Sequence, residues 1–372
     1  MDRGLQGAVL ITGGAGYIGS HTAKALREAG LTPVVFDNLS SGRREAVQWG
    51  DFIHGDIRDT AALGEAMKVH EVRAVIHFAS LIEVGRSTVR PDLFYEHNVG
   101  GTASLLAAMR ANDVGRLVFS SSAAVYGQAG RGPLDTISED APKDPSSPYG
   151  DTKLACERMI AAYGRAFGLT AVALRYFNAA GADPSGLIGE THSPETHLIP
   201  LVIAAALGVG KPLTVFGDDF DTPDGTCLRD YIHVNDLAAA HVAALKAPLQ
   251  RGQFEAVNVG TGQGQSVLEV IAAVERETGR AVPRSVGARR EGDPPSLVAQ
   301  AERAKQVLGW TPVCSSLATI VRDALRWESA PKFGRVWSPP AAAPPQAPVK
   351  AAEASEAAPS SDTSALDRIF LN

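Results

Sequence analysis

The stretch AVLITGGAGYIGSH, residues 8–21, decides the fold. Its first five residues, Ala8 to Thr12, are apolar and β-branched and read as a buried strand. From Tyr17 to Gly30 the apolar positions take the spacing of an amphipathic helix. Between the two, Gly14, Gly16 and Gly19 match G-x-G-x-x-G, and Gly13, Gly16 and Gly19 match the related G-x-x-G-x-x-G. Small residues there let the backbone approach a diphosphate, whose charge is stabilised by the free N–H groups of the helix N-terminus. A glycine triplet by itself also fits an ordinary tight turn between a strand and a helix. The neighbouring segments decide between the two readings.

Working outward, short apolar runs recur at 33–37, 51–56, 74–79, 116–121 and 170–176, with amphipathic segments such as 98–112 between them. Near-continuous apolar strands alternating with helices imply a parallel sheet covered on both faces, the doubly wound α/β (Rossmann) architecture. Asp37 ends the second strand, eighteen positions after Gly19. A carboxylate there can bind the ribose hydroxyls of a dinucleotide and repels a 2′-phosphate, which favours NAD over NADP. Arg43 and Arg44 follow closely and pull the other way. Asp56, at the end of the third run, is either an adenine contact or a turn-forming acid after Gly55.

After Asn178 the rhythm breaks, and residues 179–197 are rich in Gly, Pro and polar side chains, as a loop lining a site would be. LIPLVIAAALGVG, 198–210, reads as a buried helix, too short to span a bilayer. Ser266 and Glu269 form a capping box before another helix, with Gly279 as its stop. The expected division is a dinucleotide-binding domain over 1–177, to which later segments return, and a smaller α/β substrate domain over 178–328. The Pro- and Ala-rich remainder, 329–372, has the composition of an unstructured tail.

The 372 residues are ample for a large buried core, and 45% hydrophobic with 20% charged residues is a globular balance. A net charge of −6 gives no reason to expect nucleic acid or an anionic membrane as partner. Cys156, Cys227 and Cys314 are odd in number, scattered and not in C-x-x-C pairs, so neither a disulfide framework nor a zinc site is expected. The N-terminal residues lack the basic flank and long apolar core of a signal peptide. A cytoplasmic protein without a metal is the expectation.

SSPYGDTK, 146–153, supplies the candidate chemistry. Pro148 suits the first turn of a helix and Ser147 its N-cap, so Tyr149 and Lys153 become i, i+4 neighbours on one face. That is a possible acid/base pair and equally an ordinary surface pair. FSSSAAVYG, 119–127, places Ser120, Ser121 and Ser122 at the carboxyl end of a strand, where ligands of open α/β sheets collect. With a dinucleotide site nearby, hydroxyl, phenol and ammonium become a set. A free phenol has a pKa of about 10, and flanking positive charge, from the ammonium and a cationic nicotinamide, would lower it. Such a phenol can take a proton from an alcohol whose carbon gives up hydride.

Together with GGAGYIGSH, DNLSSG, GDIRD, HFASLIEVG, LRYFNAAGADPSG, DGTCLRDYIHV and RREGD, these motifs resemble the UDP-glucose 4-epimerase family of extended short-chain dehydrogenases/reductases. The likeness runs from residue 8 to about 328. It implies that Tyr149 is the base at the sugar 4-hydroxyl, that Ser122 hydrogen-bonds the same hydroxyl, and that Lys153 binds the nicotinamide ribose. It assigns Tyr17, Ile18, Asn38, Ile57, Phe78, Ala79, Asn98 and Phe177, with the glycines, Asp37 and Asp56, to NAD. Asn178, His197, Leu198, Phe216, Arg229, Arg290, Asp293 and Leu297 fall to the UDP-sugar. A homodimer is implied in the same way.

Three positions depart from the family pattern. Ile82 stands where many members carry lysine, which removes one cofactor contact. His197 replaces a frequent asparagine, and serves either as hydrogen-bond donor or as a structural residue at a helix start. Leu297 has intermediate volume beside the hexose, so acceptance of an N-acetyl group stays open, as does a UDP-pentose. Ala123 and Ala124 after Ser122 lack the acid that a sugar-nucleotide 4,6-dehydratase needs for elimination. A non-catalytic NAD sensor is the alternative outside enzymes, and an intact Ser122, Tyr149 and Lys153 count against it.

Overall fold

Strand β1 (Ala8–Thr12) is buried at every position and lies at the middle of the molecule. The computed structural model describes residues 7–127, 135–290 and 292–334. The other strands are β2 (Thr32–Asp37), β3 (Asp51–His54), β4 (Val72–His77), β5 (Arg116–Ser122), β6 (Thr170–Tyr176) and β7 (Asn178–Ala180). Then come β8 (Leu213–Phe216), β9 (Leu228–His233), β10 (Phe254–Val259), β11 (Gly264–Ser266), β12 (Arg284–Gly287) and β13 (Ser296–Leu297). The helices are α1 (Tyr17–Glu28), α2 (Thr60–Val69), α3 (Val84–Val89), α4 (Pro91–Phe94), α5 (Gly101–Ala111) and α6 (Pro148–Phe167). In the later half lie α7 (Leu198–Leu207), α8 (Val234–Lys246), α9 (Val267–Thr278), α10 (Glu302–Leu308) and α11 (Leu317–Ser329).

Seven strands form one sheet in the order β10-β6-β5-β4-β1-β2-β3, every pairing parallel. Helices α2, α5 and α6 bury Leu63, Met67, Leu105, Met109 and Ile160 against one face. Helices α1, α8 and α10 bury Leu26, Leu237, Leu245 and Ala304 against the other. Both faces being dry explains why the strands carry little polar alternation. The doubly wound fold expected from the sequence is therefore present, and β10 is a late segment returning to the first sheet. The chain leaves β1 for β2 on one side and reaches β4 on the other, so a crevice opens at the carboxyl ends of β1 and β4.

A third core joins α7, α9 and α11, through Ile199, Val202, Ile271, Val274 and Ile320, to Val215 and Tyr231. Strands β7, β9, β11 and β13 make a small mixed sheet beside it. The expected capping box is formed: Glu269 N–H donates to Ser266 Oγ at 3.0 Å, and Ser266 N–H to Glu269 Oε2 at 2.7 Å. Ser147 caps α6 through Gly150 N–H at 3.2 Å with Pro148 in its first turn.

Some boundaries move, for local reasons. Strand β4 ends at His77 because Phe78 and Ala79 turn their N–H groups onto the Thr12 carbonyl, at 2.8 and 3.0 Å. The helix expected from 98 begins regularly only at Gly101, after a wider turn over Tyr95–Gly100. All described residues fall within one compact unit, and no described helix is long and apolar enough to cross a membrane. Helix α11 runs through Ser329, the first residue of the stretch read as a tail; from 335 onward that stretch lies outside the described residues.

Candidate active site

The crevice is the mouth of a cavity of about 570 Å³, within the size range of small-molecule sites. One wall is the glycine turn. Gly13 has φ of +75°, and a Cβ there would sit 2.6 Å from Ala79 N. A Cβ on Gly19 would meet the Gly13 carbonyl at 2.4 Å, so any side chain at these two positions would push the turn away from β4. Gly16 is different. A Cβ there would meet only the Gly13 oxygen, at 3.3 Å, and the residue faces the cavity at the start of α1. A diphosphate fits a cradle of this shape, with helix N–H groups facing it.

Asp37 ends β2 at the same wall, 8% exposed. Its Oδ2 accepts from Ala15 N–H at 3.0 Å and its Oδ1 from Leu39 N–H at 2.8 Å. Burial raises its pKa, and the two backbone donors oppose that rise. Each oxygen keeps a lone pair for a further donor, as a ribose diol would require. Arg44, the nearby cation that spoke for a 2′-phosphate, instead stacks on Phe52 with its guanidinium carbon 4.6 Å from the ring centre. Ile82 also lines the cavity, so no cation stands at that position.

Ser122 and Tyr149 meet in the wall where β5 runs out and α6 begins. The Ser122 hydroxyl stands beside the Tyr149 phenol, which is 8% exposed. Lys153 lies one turn further along α6 and is 2% exposed. Its Nζ donates to Ser120 O at 2.8 Å and to Ser80 Oγ at 3.0 Å, and sits 5.8 Å from the centre of the Tyr149 ring. Sequence reasoning did not name Ser80; the turn after β4 carries it under the ammonium.

The electrostatics differ from the sequence expectation. Burial pushes the Tyr149 phenol up to about 12, opposed only by the Ser122 hydrogen bond. Burial also pulls the Lys153 ammonium down to about 8. In the protein alone, then, Lys153 does not lower the phenol, because desolvation outweighs a charge held against the Ser120 carbonyl.

Beneath this trio lies a buried network. Glu157, on α6 one turn past Lys153, accepts from Ser121 Oγ at 2.6 Å, Arg175 Nε at 2.9 Å and Arg175 Nη2 at 2.6 Å. Arg175 Nη1 donates to Tyr126 Oη at 2.8 Å, and Tyr126 Oη donates to Asn258 Oδ1 at 2.7 Å. The sequence pointed to Ser121 alone among these partners, since they come from β5, the turn after it, α6, β6 and β10.

The opposite wall carries Asn178, His197, Leu198, Phe216, Arg229, Arg290 and Leu297. Asp293 stands behind it, accepting from Arg290 Nε at 2.8 Å and lying 3.6 Å from Arg229 Nη2. Arg290 also rests on Phe216, 5.1 Å from the ring centre. Tyr17, Ile18, Asn38, Ile57, Phe78, Ala79 and Phe177 line the cavity as well, with the Tyr17 hydroxyl already given to Gly181 O at 2.6 Å. Five expected contacts sit behind the wall or apart from it. Gly14 packs on Val35; Lys153 and Asp293 stand as described; and Asn98 spends its amide on Leu81 and Thr152. Asp56 lies elsewhere, paired with Arg58 in a shallow depression and held well below the usual carboxylate range by that guanidinium. Glu190 and His192, inside the stretch read only as a site-lining loop, also face the cavity.

Removing Glu157 would leave the Arg175 charge buried and uncompensated, at a cost of about 3–5 kcal/mol. Glu157→Ala is expected to lower unfolding stability by that amount in urea; a loss below about 1 kcal/mol would mean that the network carries no strain.

Residues 9–260 match the family model described as NAD dependent epimerase/dehydratase family. A UDP-glucose 4-epimerase of Halalkalibacterium halodurans is 49% identical, over 88% of this chain and 97% of its own. The crystal structure of UDP-glucose 4-epimerase from Brucella ovis in complex with NAD superposes with a TM-score of 0.83 at 52% identity, covering 86% of this chain and 97% of that one. The UDP-glucose 4-epimerase of Stenotrophomonas maltophila, solved with NAD and formylated UDP-arabinopyranose, gives 0.83 at 40% identity, covering 87% and 98%. Fold, glycine cradle and sequence likeness agree: this chain belongs to the NAD dependent epimerase/dehydratase family.

Proposed function

We propose that this protein interconverts UDP-glucose and UDP-galactose by reversible epimerisation at C4, through a 4-keto sugar and a tightly held NAD. One observation carries the reading. A buried phenol beside a serine hydroxyl lies in the wall of a single cavity that has a glycine–carboxylate cradle on one side and paired arginines on the other. The relatives named above support it.

NAD, when bound, supplies a hydride acceptor that later returns the hydride, so no outside electron carrier is needed. The chain's own work is binding and proton handling. Gly13, Gly16 and Gly19 with the start of α1 hold the diphosphate, and Asp37 the adenosine ribose. Lys153 commits two N–H donors to Ser120 and Ser80, and its third would be left for the nicotinamide ribose. Ile18, Ile57, Phe78, Ala79 and Phe177 supply apolar walls, while Arg229 and Arg290 clamp the UDP diphosphate. Tyr149 takes the proton of the sugar 4-hydroxyl and gives it back once the opposite face is presented. Ser122 hydrogen-bonds that same oxygen.

Residues 1–177, with β10, carry the dinucleotide in this reading, and the elements from 178 to 328 carry the sugar nucleotide. We extend it to a cytoplasmic homodimer on the family likeness. UDP-pentoses form a second reading, favoured by the arabinopyranose ligand of the Stenotrophomonas maltophila enzyme.

Purified protein given UDP-galactose and NAD is expected to produce UDP-glucose without added oxidant; product only from UDP-pentoses would transfer the activity to them, and no product would overturn it. Tyr149→Phe is expected to keep fold and NAD content while turnover falls about 10²–10⁴-fold, the share of a general base. Unchanged turnover would remove Tyr149 from the role.

A further inference from the structure

Between β7 and α7 the chain reads Glu190, His192, Glu195, His197, an E-x-H-x-x-E-x-H spacing. Each offers one ligand atom, and these four atoms lie within 4.8 Å of one another. His192 Nδ1 is 2.8 Å from Glu190 Oε1, and His197 Nδ1 is hydrogen-bonded to that same oxygen. Glu195 Oε1 stands 3.7 Å from His197 Nδ1. The two imidazole rings lie edge to face, 5.0 Å between centres.

We propose that these four side chains form a binding site for one divalent first-row metal ion, with Zn²⁺ as the best match. Two imidazole nitrogens and two carboxylate oxygens are a zinc donor set, whereas Ca²⁺ and Mg²⁺ prefer oxygen alone. Bonds of about 2.0–2.2 Å in a tetrahedron place neighbouring donors about 3.3–3.6 Å apart. The contacts around Glu190 Oε1 and Glu195 Oε1 bracket that spacing, and Glu195 Oε1 already accepts two backbone N–H groups, so its other oxygen is the one left for a metal.

Burial strengthens the case. The carboxylates of Glu190 and Glu195 are 4% and 3% exposed. Both ion pairs of Glu190 are with imidazoles, groups that give up a proton when they bind a metal. The frame is already held: Trp327 Nε1 donates to Glu190 O at 2.8 Å, and the N–H groups of Thr196 and His197 both donate to Glu195 Oε1 at 2.8 Å. Glu190, His192 and His197 also face the large cavity, so an ion there would fix its wall at the start of α7. Cysteine spacing, the signal sought in the sequence, cannot detect such a set. The inference stands apart from the epimerase reading, because it is read from metal binding.

The test uses full-length protein with its NAD, freed of metal by chelator and desalted, then dialysed against Zn²⁺ or Co²⁺. About one equivalent per chain is expected, with affinity about tenfold or more weaker in His192→Gln and in Glu195→Gln at unchanged circular dichroism. The Co²⁺ form is expected to show the intense visible absorption of a tetrahedral site and no thiolate band in the near ultraviolet. No stoichiometric binding, wild-type affinity in both variants, a weak octahedral spectrum, or a thiolate band pointing to Cys227 would each overturn the proposal. Should neither variant fold, the wild-type cobalt spectrum decides alone.

Discussion

The ion pair of Glu157 with Arg175 is the constraint on which the site depends. Its side chains are 3% and 5% exposed, so both charges are stripped of water and must be satisfied within the protein. Satisfying them joins three elements. Glu157 belongs to α6, the helix that also carries Tyr149 and Lys153, Arg175 belongs to β6, and Ser121, one residue before Ser122, belongs to β5. A slide of α6 along the sheet would break a two-pronged guanidinium–carboxylate contact in a low-dielectric interior. The Ser122–Tyr149 contact is thus set from below, by groups that never touch the cavity.

Fold and site were legible in the sequence to different depths. The alternation of apolar runs and amphipathic helices is a local property, so the parallel sheet, the glycine turn and the caps at Ser147 and Ser266 could be read directly. Family likeness, rather than spacing, pointed to the arginines of the far wall. The buried network could not be read, because Ser121, Tyr126, Glu157, Arg175 and Asn258 are far apart along the chain and meet only through strand order. The partners of Asn98 were equally hidden: it lies in the wider turn over Tyr95–Gly100 and spends its amide on Leu81 and Thr152.

Burial also changes the acid–base picture. The sequence suggested that the ammonium of Lys153 and a cationic nicotinamide together lower the phenol's pKa. In the folded chain the same desolvation acts on both groups in opposite directions, up for Tyr149 and down for Lys153. A phenol near 12 is a poor base at neutral pH, and a group with a raised pKa holds its proton until the solution passes that value. Positive charge arriving with the oxidised dinucleotide is what would reverse this. The base would then be assembled only when the cofactor is in place, which ties proton removal to hydride acceptance.

That coupling can be measured directly by ultraviolet difference titration of the Tyr149 phenolate, with Tyr149→Phe as the blank. NAD⁺-loaded protein is expected to ionise well below the free-phenol value of about 10, and protein loaded with the reduced, uncharged ring well above it. Ionisation above 10 in both forms would contradict the role of Tyr149 as the proton acceptor.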